Sequence, residues 1–368
     1  MGAKIWKATK LILLGLLALV ISLIVSGLIY RAWYQHRVAK ILTITAPNGI
    51  DERRFVRIGG IDQWITVRGY DRNAAAILFV HGGPGIPNSP LNASFAPYEK
   101  AFVVVQWDQR GAGRTYSRSG PVGTDVGIDR MAEDGIEVAD YVRSRLRKDK
   151  IILVGISWGS DVGVRMVKAR PELFAAYVGT AQVVNSEDSA VGYSQLLTKA
   201  RVRNDAKAMQ ALLAATPPYS DADEFSTFET WALTYEIREH PSLKDLLPEV
   251  LTSPDYDLKD VWAYLGPGRR SSMIHFFGAK MDGPFATDDV HWRGTNFATP
   301  IFIFQGAEDD LTPASVTRAW FDTVSAPEKA FVLIPGGGHA VVLSQPDTFI
   351  RLVEQYVSPL TVENSRSH

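Results

Sequence analysis

Gly155-Ile156-Ser157-Trp158-Gly159 sets a serine between two glycines, after the apolar run Ile151–Ile156 and before a helix-compatible stretch from Ser160 to Ala169. The glycines let a tight strand-to-helix turn pack closely, lifting the serine Oγ off a sheet while the helix N-terminus favours developing negative charge. A serine hydroxyl is a weak nucleophile at neutral pH, so Ser157 needs a base, and the base needs an acid to fix its tautomer. For a nucleophile carried on such a turn, the acid and then the histidine follow in chain order. Of seven histidines, His36, His81, His240, His275 and His291 all precede the last two predicted strands, and the terminal His368 sits where chains fray. His339, in Pro335-Gly336-Gly337-Gly338-His339, is therefore the expected base. The acid is expected at the end of the preceding strand, where Glu308, Asp309 and Asp310 offer three carboxylates.

An oxyanion hole takes the N–H after the nucleophile and another from a loop after an early strand. Trp158 and Gly83 hold those positions, Gly83 within His81-Gly82-Gly83-Pro84-Gly85. Glycines of this kind can also cradle phosphate, but the G-x-x-x-x-G-K-[ST] spacing is absent. Gly111-Ala112-Gly113 likewise lacks the third glycine of a dinucleotide fingerprint.

The elements that must position these groups can be read from the hydrophobic pattern. After a linker around Thr43 to Asp51, Phe55–Ile58 and Ile61–Tyr70 predict a hairpin turning at Gly59-Gly60. Ala74–Val80, Ala101–Gln106 and Ile151–Ile156 are continuous apolar runs that suit strands buried on both faces. A helical stripe over Asp129–Arg147 separates the last two, and strand and helix alternate again through Pro300–Phe304, Pro313–Val324, Phe331–Ile334 and Thr348–Val357. This alternation predicts an α/β fold with a mostly parallel sheet and helices on both faces. Residues 185–293, aromatic-rich and broken by Pro217-Pro218, Pro241 and Pro248, read as an inserted helical lid between a first core part, 46–184, and a second, 294–368.

The chain has 368 residues, 46% hydrophobic and 21% charged, enough to bury a full core. Lys+Arg 39 against Asp+Glu 40 gives a net charge of -1, which offers no footprint for nucleic acid. With Cys 0 there is no thiolate nucleophile, disulfide or thiolate metal site. Leu11 to Tyr30 contains no charge and as a helix would be about 30 Å long, so residues 11–30 are expected to cross a lipid bilayer as a single-pass anchor, within an anchor-and-linker region 1–45. Lys4, Lys7 and Lys10 before it nearly balance Arg31, Arg37 and Lys40 after it. Leaving the short N-terminal flank in the cytoplasm is simplest and would place the rest outside, in the periplasm if the cell is bacterial.

Taken together, His81-Gly82-Gly83-Pro84-Gly85, Trp107-Asp108-Gln109-Arg110-Gly111-Ala112-Gly113-Arg114-Thr115 and Gly155-Ile156-Ser157-Trp158-Gly159-Ser160 resemble the proline iminopeptidase family of α/β-hydrolases, over about residues 50 to 358. The resemblance implies that Asp309 is the acid, because that family's Gly-x-x-Asp turn with a proline four residues on matches Gly306, Asp309 and Pro313. It also makes Asp108 and Arg110 scaffold residues. A lid motif that meets the substrate's free amine is best matched by Trp231 to Glu236, with Tyr235 as its second aromatic, so Trp231 and Glu236 are expected at the substrate. The implied activity is a serine aminopeptidase acting on short peptides or amides, with no metal or organic cofactor. An esterase or lactonase would use the same residues, and a non-catalytic receptor is the alternative of a different class.

Overall fold

The computed structural model describes residues 2–363; His368 lies outside them. Helix α1 (Gly2–Ile41) extends well beyond the predicted 11–30, since no proline interrupts it. It is the one helix among the described residues long and apolar enough to cross a membrane. Its apolar side chains from Leu11 to Ile29 are exposed rather than packed on the rest of the chain.

Eight strands form one sheet: β1 (Ile50–Ile58), β2 (Ile61–Gly69), β3 (Ala76–Val80), β4 (Val103–Asp108), β5 (Ile151–Ile156), β6 (Phe174–Thr180), β7 (Ile301–Gly306) and β8 (Lys329–Ile334), in the order β1-β2-β4-β3-β5-β6-β7-β8. β2 pairs antiparallel with β1 and β4, and the remaining pairs are parallel. Gly59 and Gly60 have φ of 54° and 79°, the left-handed pair that a two-residue hairpin turn requires. Edge strand β1 carries Asp51, Glu52, Arg53, Arg54 and Arg57, charges that discourage pairing with another sheet.

The helices connecting the strands are α2 (Asn92–Glu99), α3 (Gly113–Ser119), α4 (Ile128–Leu146) and α5 (Trp158–Ala169). Between β6 and β7 come α6 (Glu187–Val202), α7 (Ala206–Ala214), α8 (Ala222–Glu239), α9 (Leu246–Thr252), α10 (Leu258–Leu265) and α11 (Pro267–Phe277). The chain closes with α12 (Ala314–Thr323), α13 (Val341–Ser344), α14 (Pro346–Tyr356) and α15 (Ser358–Glu363).

Because successive strand residues face opposite ways, the central strands build two cores. Leu78, Val80, Ile151 and Leu153 pack with α4 and α5 through Val138, Val142, Val162 and Met166. Ile77, Phe79, Ile152 and Val154 pack with α2 and α14 through Phe95, Tyr98, Phe349 and Val353. The β6–β7 insertion has its own apolar cluster, which includes Leu196, Leu212, Phe228 and Tyr235.

Candidate active site

Ser157 stands at the end of β5, the sheet's central position, with φ 52° and ψ −126°. A positive φ at a residue with a Cβ is strained, and it points the hydroxyl away from the strand. The flanking glycines are steric requirements. A Cβ on Gly155 would lie 2.7 Å from the Ser160 Cα and 2.8 Å from the Gly159 carbonyl oxygen. One on Gly159 would run into the backbone of Val80 and His81. Helix α5 therefore sits directly against the strand, with the Trp158 N–H in its unpaired first turn.

At the ends of β7 and β8 the three candidate carboxylates separate. Glu308 is exposed and Asp310 is bonded to Lys199 of α6 at 2.7 Å. Asp309 is fully buried, its Oδ1 and Oδ2 3.0 and 3.1 Å from His339 Nδ1. It also accepts hydrogen bonds from the Leu311 and Thr312 N–H groups, the Thr312 hydroxyl and the Gln305 amide. Burial alone would raise the Asp309 carboxyl, but His339 and these donors outweigh it and hold it below the usual range. Burial pulls His339 down, whereas Asp309 and then Glu236 pull it up, leaving it raised to about 9. With Nδ1–H committed to Asp309, Nε2 is the nitrogen left for a substrate-facing proton transfer. The two loops touch along their backbones, since a Cβ on Gly306 would lie 2.6 Å from the Gly337 carbonyl oxygen.

The glycine loop after β3 is held by the polar run after β4 in a way that the sequence did not reveal. His81 is completely buried, which drives its pKa down to about 4, so the ring is neutral. Its Nδ1 donates to the Gly82 carbonyl and its Nε2 accepts the Gln109 N–H. The Gln109 side chain then bridges the His81 carbonyl and the Trp158 indole N–H. One side-chain amide thus ties the loop bearing Gly83 to the helix bearing Trp158. Asp108 accepts from Tyr256 and the Arg114 N–H, and Arg110 pairs with buried Asp134, consistent with scaffold roles.

A family model for the alpha/beta hydrolase fold matches residues 75–346. The chain belongs to that family. Among its relatives, the protein named Probable aminopeptidase YbaC of Bacillus subtilis is 26% identical over 312 residues, covering 81% of this chain and 94% of its own. A proline iminopeptidase structure from Mycobacterium smegmatis shares the fold with a TM-score of 0.62 and 18% identity, over 85% of this chain and 100% of that one. A structure of a membrane phospholipase A has a TM-score of 0.58 and 13% identity, over 95% of this chain and 99% of its own.

In this hydrolase Ser157, His339 and Gly83 line one cavity of about 910 Å³ between sheet and lid. The lid helix α8 faces it with Phe225, Glu229, Leu233 and Ile237, spaced four apart. Trp231 and Glu236, expected at the substrate, lie off that row. Trp231 lies two positions from Glu229, on the other side of the helix, where it meets Tyr235 at 6.4 Å between ring centroids. Glu236 is turned onto the histidine loop: its Oε1 accepts the Ala340 N–H at 2.7 Å, and it covers Gly338 so closely that a Cβ there would have no room. Neither residue lines the cavity. Its walls carry instead Glu229, paired with Arg269 at 2.6 Å, and Asp188. Burial raises Asp188 to about 8; its Oδ2 accepts the Val184 and Asn185 N–H groups, while Oδ1 has no partner among the described residues. The four-residue spacing in Phe225-x-x-x-Glu229-x-x-x-Leu233-x-x-x-Ile237 was the signal available for finding the cavity face.

Proposed function

We propose that this alpha/beta hydrolase is a membrane-tethered serine hydrolase, and within that class a proline iminopeptidase-like aminopeptidase that releases N-terminal residues from short peptides or amides. The observation that carries it is the buried Asp309–His339 pair opening onto the same cavity as strained Ser157. Ser157 Oγ attacks the carbonyl carbon while His339 Nε2 takes its proton. Asp309 stabilises the imidazolium, and the N–H groups of Gly83 and Trp158 receive the oxyanion. His339 then protonates the leaving amine, and water hydrolyses the acyl-enzyme with His339 again as base. Residues 11–30 hold the enzyme in the bilayer, with the catalytic domain on the extracytoplasmic side.

The aminopeptidase relatives support the amide reading, and Asp188 and Glu229 put acidic side chains in the cavity wall, Asp188 as one that a substrate ammonium would favour in its ionised form. A carboxylesterase is the second reading, favoured by the commitment of Glu236 to the Ala340 N–H and by the Leu, Ile, Val and Phe side chains in the cavity walls. Detergent-solubilised full-length protein should react with a fluorophosphonate serine probe, and Ser157→Ala should abolish that labelling. Rates on aminoacyl arylamides, their N-blocked versions and p-nitrophenyl esters then divide the two readings. Rapid turnover of esters with none of free-amine amides would leave the esterase.

A further inference from the structure

Helix α1 does not leave the catalytic domain at random. Arg31, the first residue after the uncharged run, donates from Nε to the Leu251 carbonyl at 2.8 Å and from Nη2 to the Tyr256 carbonyl at 2.7 Å. One turn on, Gln35 donates to the Ser253 and Tyr256 carbonyls at 2.6 and 3.1 Å. The end of the uncharged run is thus fastened to one stretch of the lid, the end of α9 and the loop into α10.

That stretch is also where the lid exposes large apolar side chains. Leu247, Leu251, Leu258, Trp262 and Leu265 are 52%, 39%, 54%, 62% and 49% exposed, in a segment of nineteen residues, 247–265. A soluble surface rarely concentrates such residues without a partner. Two of them, Leu247 and Leu265, also line the cavity that contains Ser157, so the cavity rim and the apolar edge share residues. Leu246 and Val250 line the same cavity from α9. Exposed Tyr30 and Trp33 at the end of the uncharged run are the aromatic types that settle at a lipid–water boundary, as is Trp262.

We propose that the 247–265 edge of the lid is a membrane-contact surface, lying in the interfacial layer of the bilayer that α1 enters. This rests on the reading of residues 11–30 as a membrane anchor. The cavity rim then sits at the lipid–water boundary, and an amphiphilic acyl or aminoacyl substrate reaches Ser157 from the membrane surface with its apolar part already among Leu246, Leu247 and Val250.

The chain contains no cysteine, so a single introduced thiol can be labelled alone. Full-length Leu258→Cys and Trp262→Cys are labelled with an environment-sensitive fluorophore and reconstituted into phosphatidylcholine/phosphatidylglycerol vesicles carrying nitroxide-labelled lipids. Val202→Cys, at a lid position 77% exposed on α6, is the control. Retained reaction with the serine probe checks that each variant is folded. The proposal expects a blue shift at 258 and 262 and quenching by lipid nitroxide of roughly twofold or more, with little change at 202. A blue shift without lipid quenching would mean that a second copy covers the edge, and equal quenching at all three positions would mean indiscriminate adsorption; either overturns it. Alkaline carbonate washing separates the two levels. If the protein is extracted, the anchor reading fails; if it resists extraction while 258 and 262 stay unquenched, the membrane-contact surface alone fails.

Discussion

Replacing Glu236 by Gln keeps the length of the side chain and an oxygen to accept the Ala340 N–H, and removes only the charge beside the histidine loop. Burial raises Glu236 to about 7, and its carboxylate and His339 influence each other's ionisation. The bond to Ala340 places the carboxylate one residue from His339, and two charges about 7 Å apart at an effective dielectric near 20 interact by about 2 kcal/mol. Glu236 is only partly ionised near neutrality, so about half of that should appear, roughly one pH unit on His339. The base works when neutral, and a partner that raises its pKa keeps it protonated to higher pH. Glu236→Gln should therefore move the acid limb of kcat/KM down by about one unit, raising the rate near pH 6 to 7 by up to roughly tenfold and leaving the alkaline plateau unchanged. Profiles measured on a free-amine aminoacyl arylamide and on a p-nitrophenyl ester should shift together, because the effect passes through His339. A loss of tenfold or more on the free-amine substrate alone, with the ester untouched, would refute this reasoning and return Glu236 to the substrate ammonium. Glu236→Ala, which orphans the Ala340 N–H, should in addition cost about 1–3 kcal/mol of stability, read as a lower Tm.

Ser157→Ala, His339→Ala and Asp309→Asn should each lower kcat by a factor of about 10³ or more, and double variants should lose little further, since the three act as a unit. A Ser157→Ala enzyme keeping more than about a tenth of the wild-type rate would remove the mechanism. Gly159→Ala should fail to give soluble protein or unfold far below wild type in a thermal scan, as its Cβ meets the backbone of β3. Deleting residues 1–40 should release an active enzyme that no longer needs detergent to leave the membrane. Compared with deletion of residues 1–30, it loses the four hydrogen bonds from Arg31 and Gln35, so its Tm should be lower by roughly 3–5 °C.

The strands buried on both faces were legible because their continuous Val, Ile and Leu runs have no other stable home, and β5 appears with the predicted bounds. Strand β6 was missed for a physical reason. Ala175, Ala176 and Gly179 are weak as a hydrophobic signal, yet a Cβ on Gly179 would lie 2.7 Å from the Ile303 side chain, so the position must stay small. At the site, His339 could be reached by elimination along the chain and Asp309 by resemblance. Gln305, Thr312 and Gln109 could not, because each acts by bonding partners that the fold brings together. The lid motif matches residue types, which say nothing about helix phase. Trp231 and Glu236 are present on α8, but the cavity selects the face marked by Phe225, Glu229, Leu233 and Ile237.

Gln305 has a wider role than orienting Asp309. Its Oε1 accepts the N–H of Gln182, just after β6, while its Nε2 donates to Asp309 and to the Thr312 carbonyl beyond β7. β6 and β7 are already neighbours in register, Tyr177 beside Ile301 and Gly179 beside Ile303. The chain therefore departs for the lid at a point pinned by this side-chain amide and returns at the opposite end of β7, at Ile301, a point pinned by the sheet. Whatever lies between them only has to close a loop whose ends are already fixed, and the entropy of closing it grows slowly with length. Length can therefore vary within the lid at little entropic cost, provided that Glu236, Lys199 and Tyr256 keep their bonds to the histidine loop, Asp310 and Asp108.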